Sequence, residues 1–267
     1  MRWVLLLIAV AATTATAAPE SDPAFLGVSM GWMPDRRECV IDSVTLGSPA
    51  NESGIVELDA IAELDGVPIV SASACSDVTK LITRHNPGDV IEIHLRRGDG
   101  EVTVKPILAT RSDVLGRRVG QRAQSTDLAD TDGTHWDLAE HRGHTLVVGA
   151  YADNCGTSCA AVIDRVADKL NRVAPAAVAL AVLGSQRDIS ESAVRSLRGS
   201  VPLALANQAT YENLATMDPD RVFFMVIDCH GVVRLVAPIA PDADDIPAAI
   251  DEVLASVEQA EHARTHR

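Results

Sequence analysis

The stretch YADNCGTSC, Tyr151 to Cys159, places two cysteines four positions apart between an apolar run and a helical pattern. Upstream, TLVVGAY (Thr145 to Tyr151) is a continuous apolar segment of the length and composition of a strand buried on both faces. Downstream, Ile163, Val166, Ala167 and Leu170 recur at i, i+3, i+4 and i+7, which is one face of a helix. AAVALAVLG (Ala176 to Gly184) is a second buried strand, so the order is strand, helix, strand, a βαβ unit for which a right-handed crossover is expected. Cys155 falls at the strand-to-helix junction. There, unpaired helix N–H groups and the positive end of the helix dipole favour thiolate over thiol, lower the pKa and supply a nucleophile. Cys159, one turn further on, is placed to resolve a mixed disulfide. Two other readings of the pair stand beside this one: a metal clamp, and a staple without turnover. A loop this short restricts the denatured chain little, on the order of 2 kcal/mol.

The rest of the second half continues the alternation. DTDGTHWDL supplies a turn at Asp132-Gly133 and a short segment with Trp136 and Leu138. SESAVRSLRG reads as a helix capped near Ser190, with Gly199 past its end. RVFFMVID and GVVRLVAPI form a hairpin around Cys229-His230-Gly231, DIPAAIDEVLASVEQA is an amphipathic helix, and EHARTHR (residues 261–267) reads as a frayed tail. The first half has shorter elements. CVIDSV (Cys39 to Val44) and VIEIHL (Val90 to Leu95) read as strands, with EVTVKPIL as hairpin partner of the latter across Arg97-Gly98-Asp99-Gly100. Val78, Leu81 and Ile82 mark a helix face that Asn86-Pro87-Gly88 ends. Between the halves, residues 109–125 hold four arginines (Arg111, Arg117, Arg118, Arg122), two glycines and no long apolar periodicity, the composition of a solvated connector.

The chain of 267 residues has room for two domains. Residues 1–18, MRWVLLLIAVAATTATAA, carry one arginine, an apolar core and small residues before Pro19, the pattern of a cleaved secretory signal peptide. No later stretch is long and apolar enough to span a bilayer, so a periplasmic or secreted protein is expected. A formal charge of -14 argues against a nucleic-acid partner. Five cysteines, Cys39, Cys75, Cys155, Cys159 and Cys229, are an odd number, leaving at least one free or joined to another molecule. Cys39 and Cys75 could form a disulfide after export or sit as small buried apolar residues.

The ordered run FLGV (Phe25 to Val28), VIDSVTLGSPANESGI (Val40 to Ile55), LDAIAELDGVPIVS (Leu58 to Ser71), a helix, and NPGDVIEIHLRRGDGEVTV resembles the PDZ domain of bacterial HtrA-like exported proteins, over residues 24–108. It departs from the usual pattern at Leu58-Asp59, where such domains have Gly-Asp. The resemblance implies a binder of chain ends. Backbone N–H groups at Leu26, Gly27 and Val28 would hold a terminal carboxylate while the peptide adds a strand beside Val28 to Met30. A protease is not expected: only the signal stretch precedes the PDZ-like part, and no Gly-x-Ser-x-Gly elbow occurs in the second half.

Residues 126–260 resemble the thioredoxin-like fold of the redoxin, TlpA-like and SCO-type families, on the CxxxC at the first strand-to-helix junction and FFMVIDCHGVV as the later hairpin. The fold class expected is therefore multidomain, a β-rich PDZ domain followed by an α/β thioredoxin-like domain. Together the two resemblances imply an exported thiol-disulfide oxidoreductase-like protein that recruits a protein client by its C-terminus, Cys155 attacking and Cys159 resolving, with no cofactor. The family's proline before the hairpin strand would align with Val222, with Pro219 three residues earlier, and Asn154 rather than tryptophan precedes Cys155. Three residues between the cysteines is also the spacing of SCO-type copper proteins, so copper at Cys155 and Cys159 is an alternative. Its histidine would align near Asp220, a hard oxygen donor, with His230 at the far end of the strand. A second alternative is a non-catalytic PDZ adaptor.

Overall fold

The computed structural model describes residues 22–126, 128–140, 143–152, 155–184, 201–206, 210–211, 214 and 221–265. The signal-peptide reading of residues 1–18, the helix expected at Ser190 to Gly199, and Asn154, Pro219 and Asp220 lie outside the described residues.

The first unit consists of β1 (Val28–Met33), β2 (Glu38–Val44), α1 (Pro49–Glu52), β3 (Ala60–Leu64), β4 (Val67–Pro68), α2 (Ala72–Ile82), β5 (Ile93–Arg97) and β6 (Gly100–Val104). The sheet runs β1-β2-β3-β5-β6, with β4 paired to β3 and every pairing antiparallel. Ser71 starts α2 by accepting the Ala74 N–H at 3.1 Å, and the helix buries Cys75, Val78 and Ile82 against the sheet. A strand expected from Val90 begins instead at Ile93. Val90 makes only an isolated bridge to Ile107 and stays exposed, because the register set by the Arg97–Gly100 turn is used up at Ile93–Val104.

At Leu58-Asp59 the departure from the family pattern has a physical reading. Leu58 holds φ +68° and is 69% exposed, a left-handed conformation that glycine adopts without steric cost. Asp59 is fully buried and accepts from Arg97 Nε (2.7 Å), Arg97 Nη2 (2.8 Å) and the Val56 N–H (3.0 Å). Burial opposes its ionisation, yet the Arg97 hydrogen bonds, the Val56 N–H and the Arg97 charge outweigh it and lower its pKa.

The second unit adds α3 (Arg111–Gly116), β7 (Leu128–Asp130), β8 (His135–Trp136), β9 (Leu146–Ala152), α4 (Gly156–Val173), β10 (Val178–Gly184), β11 (Leu203–Ala206), β12 (Val222–Ile227), β13 (Val233–Ile239) and α5 (Ile246–Thr265). The sheet order is β13-β12-β9-β10-β11-β7-β8. β9, β10 and β11 are parallel, while β12 is antiparallel to both β9 and β13. All seven residues of β9 are buried. Val147 and Tyr151 point into one core with Ile163, Val166 and Leu170 of α4 and Val253 and Val257 of α5. Leu146, Val148 and Ala150 point into a second core with Leu128, Leu138, Leu115 and Ala123.

That second core corrects the reading of residues 109–125 as a solvated connector. Leu115 of α3 and Ala123 are buried there, the Ala123 N–H donates to Gly231 O, and the Gly120 N–H donates to Val233 O, both at 2.8 Å. The physical reason is that this mixed sheet is apolar on both faces, and the connector covers part of one. Arg118 goes down with it. Its Nη1 donates to Leu214 O, and burial lowers its pKa to about 10. The frayed tail is corrected likewise. α5 continues to Thr265, since the Glu261 carboxylate accepts from Thr145 Oγ1 at 2.5 Å and pairs with Arg264. β11 and the β7–β8 hairpin escaped the sequence reading, being four, three and two residues long.

Two outcomes are expected in thermal unfolding. Leu58→Gly should raise stability by about 1 kcal/mol, the relief of a left-handed leucine less the added freedom of glycine in the unfolded chain. Asp59→Asn should cost about 2 kcal/mol, the hydrogen-bond share, because Arg97 is 40% exposed and solvent screens the charge pair. The folded pKa of Asp59 is lower than the unfolded one. Its contribution is therefore present above about pH 4 and lost as pH falls through the folded value, so the mutant's melting temperature should decline less steeply in acid.

Candidate functional site

β9 ends at Ala152, and the chain turns with the Cys155 N–H donating to Ala152 O at 3.2 Å before α4 begins at Gly156. α4 sits close on the sheet because β9 has Gly149 beneath it. A Cβ at Gly149 would lie 3.0 Å from Ile163 Cγ1 and 3.2 Å from Phe224. Cys155 occupies the N-cap of this 18-residue helix and makes no side-chain capping bond. Cys155 and Cys159 are joined in a disulfide, with their Cα atoms 5.6 Å apart. The two sulfurs differ in access. Cys159 is fully buried in the core shared by α4 and α5, whereas Cys155 is only partly covered. An approaching thiolate therefore meets Cys155 first.

The second candidate lies in the first unit. β1 is an edge strand, paired with β2 on one side only, and α2 runs beside its open edge. Between them is a cavity of about 130 Å³, lined among others by Leu26, Val28, Met30, Thr79, Ile82 and Arg111. The loop entering β1 is pinned by its carbonyls: the Ala50 N–H donates to Leu26 O and the Thr45 N–H to Gly27 O, both at 2.9 Å. The N–H groups of Leu26 and Gly27 donate to no backbone group among the described residues. Gly27 has φ +88°, and a Cβ there would overlap the Ser48 side chain, so only glycine fits this loop. α2 is tied to the sheet by a Cys39–Cys75 disulfide spanning 36 residues, which settles the open alternative for these two cysteines. By the chain-entropy estimate a loop of that length is worth about 4 kcal/mol.

Residues 24–107 match the family model of the PDZ domain. The second unit has the thioredoxin-like sheet: a parallel pair joined by a helix, then an antiparallel hairpin added on the other side of the first strand. Residues 24–107 are a PDZ domain, and the second unit has the thioredoxin-like fold. No curated protein matches the sequence of the chain. Among solved structures it is similar to an HtrA-type protease, AlgW, carrying a decapeptide, at 22% identity over 33% of this chain and 30% of that one, TM-score 0.30. It is also similar to the HtrA3 PDZ domain bound to a phage-derived ligand, at 20% identity over 32% of this chain and 84% of that one, TM-score 0.28. The thioredoxin domain of a thiol-disulfide oxidoreductase from Bacteroides vulgatus aligns at 14% identity over 51% of this chain and 96% of that one, TM-score 0.40.

The PDZ domain brings Leu26, Gly27 and Val28 together in the lining of the cavity, and the thioredoxin-like domain brings Cys155 and Cys159 into bonding contact. It does not bring Cys229 or His230 to them. In the β9–β12 register Ile227 stands opposite Leu146 and Phe223 opposite Ala150, so the Cys229-His230 turn lies at the start of β9 and Cys155 beyond its end. A copper ion at the two cysteines would gain no third ligand from His230. Asp228 instead organises that turn, accepting from the His230 and Val232 N–H groups and from Arg234 Nε and Nη2. Burial works against its ionisation, but the Val232 N–H, Arg234 and the His230 N–H prevail and lower its pKa. Val222, the position aligned with the family proline, is buried at the start of β12. Met30 falls within the strand beside which the peptide was expected to add, whereas sequence reasoning missed Thr79 and Arg111 as cavity-lining residues. Ile82 lay on the helical stripe it had identified, but a stripe does not tell core from groove.

After reduction of the intact protein, brief alkylation read by peptide mass spectrometry should modify Cys155 at least about ten-fold faster than Cys159, following exposure and helix-end position. Equal rates would mean that the junction opens and neither sulfur is favoured.

Proposed function

We propose that the protein is exported and exchanges thiols and disulfides with a protein client whose C-terminus docks in the PDZ groove. The observation that carries this reading is the asymmetry of the Cys155–Cys159 disulfide, one sulfur partly exposed at a helix N-cap and the other sealed in the core behind it. Export is supported by the signal-like residues 1–18 and by two disulfides of a kind that persists in oxidising compartments. Client docking is supported by the open edge of β1, the loop amides of Leu26 and Gly27 without a backbone acceptor among the described residues, and the adjoining cavity, the features that strand addition uses.

The chemistry is a two-step exchange. A client thiolate attacks Cys155 Sγ, forming a client–Cys155 bond as the Cys155–Cys159 bond breaks and Cys159 leaves as thiolate. A second client thiolate then attacks the client sulfur of that mixed disulfide, releasing Cys155. Two electrons pass from client to protein, and the two protons given up by the client thiols end on the two cysteines. The helix N-terminus favours the departing Cys155 thiolate. Run backwards, the same steps reduce a client disulfide, and the relative potentials select the direction. Docking in the groove raises the local concentration of the client near the sulfur.

The oxidised protein should exchange with a cysteine-containing peptide that ends in an apolar residue as a free acid, and should do so more slowly with its C-terminal amide. Cys155→Ser should abolish exchange with both. Thiol trapping across a glutathione series should find the couple partly reduced above roughly -300 mV. A couple oxidised throughout that range, with no exchange on either peptide, would identify a structural staple on a peptide-docking scaffold.

A further inference from the structure

The PDZ family match ends at residue 107, yet the groove does not. Arg111, the first residue of α3, lines the same cavity as Leu26, Gly27 and Val28. The reason is local. Ala109 bridges back to Phe25, the Phe25 N–H donating to Ala109 O at 2.8 Å, and Val114 packs with Phe25 and Ala109 in a small core. Arg111 stands one helical turn before Val114 and so falls on the same side of α3. Its guanidinium carbon lies 5.0 Å from the centroid of the Phe25 ring, which holds the side chain by stacking.

Arg111, like the partly buried Arg118, has no counter-charge among the described residues. Arg97 is paired with Asp59, Arg117 with Glu52 and Arg234 with Asp228. Arg111 has no such carboxylate among the described residues, and its Nε is buried without a hydrogen-bond partner. The neighbouring Asp22 is engaged elsewhere, accepting from the Ser112 N–H at 3.0 Å and Ser112 Oγ at 2.8 Å. A partly buried guanidinium held by stacking shares a cavity of mixed apolar and hydroxyl lining with two backbone N–H groups that have no backbone acceptor among the described residues, and this set calls for a planar anion with an apolar body. The terminal carboxylate of a peptide ending in an apolar residue has that form.

We propose that Arg111, supplied from outside the PDZ domain by the connector helix, is a second anchor for the terminal carboxylate of the docked chain and makes the groove selective for free C-termini over internal segments. This rests on the peptide-docking reading of the groove. It also ties recruitment to the connector. The same short helix is followed by Arg118, which donates to Leu214 O, and by residues that pair with the β12–β13 turn of the thioredoxin-like domain.

The test uses the full chain and fluorescently labelled pentapeptides ending in Val, Leu, Ile, Ala or Phe, each as free acid and as amide, with binding read by anisotropy. Wild type should prefer the acid, with affinity falling as salt rises. Arg111→Met should weaken acid binding by about ten-fold, the worth of one charge-assisted hydrogen bond, and leave amide binding unchanged, while Arg111→Lys recovers part of the loss. Equal losses for acid and amide would make Arg111 a packing residue on Phe25, and no loss for either would remove it from the site. Both outcomes overturn the proposal while leaving the groove standing. Wild-type binding to no peptide of either form would overturn the groove itself. Thermal melts of both variants guard against a folding artefact, and if Arg111→Met does not fold, the salt slope and Arg111→Lys decide alone.

Discussion

The architecture depends on β9 being buried on both faces. A central strand of a mixed sheet that is apolar on both faces has no solvent side, so each of its faces must find an apolar cover. α4 and α5 supply one, and Gly149 lets α4 approach closely enough to supply it well. That approach fixes where α4 starts, and hence where Cys155 stands. The other face takes Leu115 and Ala123 from the segment that joins the domains. One requirement of the sheet thus positions the sulfur and turns a connector into part of a core.

The consequence for function is geometric. A flexible linker would allow the groove and the disulfide to explore many separations, whereas a connector paired through residues 120–123 with the β12–β13 turn holds the path between them ordered. Under the proposed function, effective concentration then depends less on linker length than on the client, whose own chain would have to span from docked C-terminus to Cys155. An apolar cavity of about 360 Å³ remains between the units, lined by Val114, Arg118, Leu138 and Met225, so the contact between them is incomplete.

Both domains use the same device to hold a turn against a strand. In the PDZ domain a buried carboxylate, Asp59, takes two hydrogen bonds from Arg97 at the end of β5. In the thioredoxin-like domain Asp228 takes two from Arg234 in β13 and two more from backbone N–H groups of its own turn. Each carboxylate would be costly to bury alone, and each is compensated by a guanidinium that keeps contact with water.

Elements with long apolar runs or clear periodicity were legible in the sequence: β9, β10, the β12–β13 hairpin, α2, α4 and the position of Cys155 and Cys159 at a strand-to-helix junction. Their signals are local, because burial on one stripe or on both faces writes itself into consecutive residues. Gly27 and the Leu58-Asp59 departure could also be read, since backbone conformation restricts residue type. What the sequence left open was which distant residues meet. Cys39 and Cys75 were equally compatible with a bridge or with two buried thiols, for no spacing along a chain sets a Cα separation. The four arginines of 109–125 looked solvated because nothing in that stretch records that Leu115 and Ala123 face a sheet formed by residues 128 to 239. Arg111 looked like one more linker charge. Only the Phe25–Ala109 bridge puts it at the groove, and only the fold leaves Cys155 partly open while sealing Cys159, because exposure belongs to the packed molecule and not to the residue.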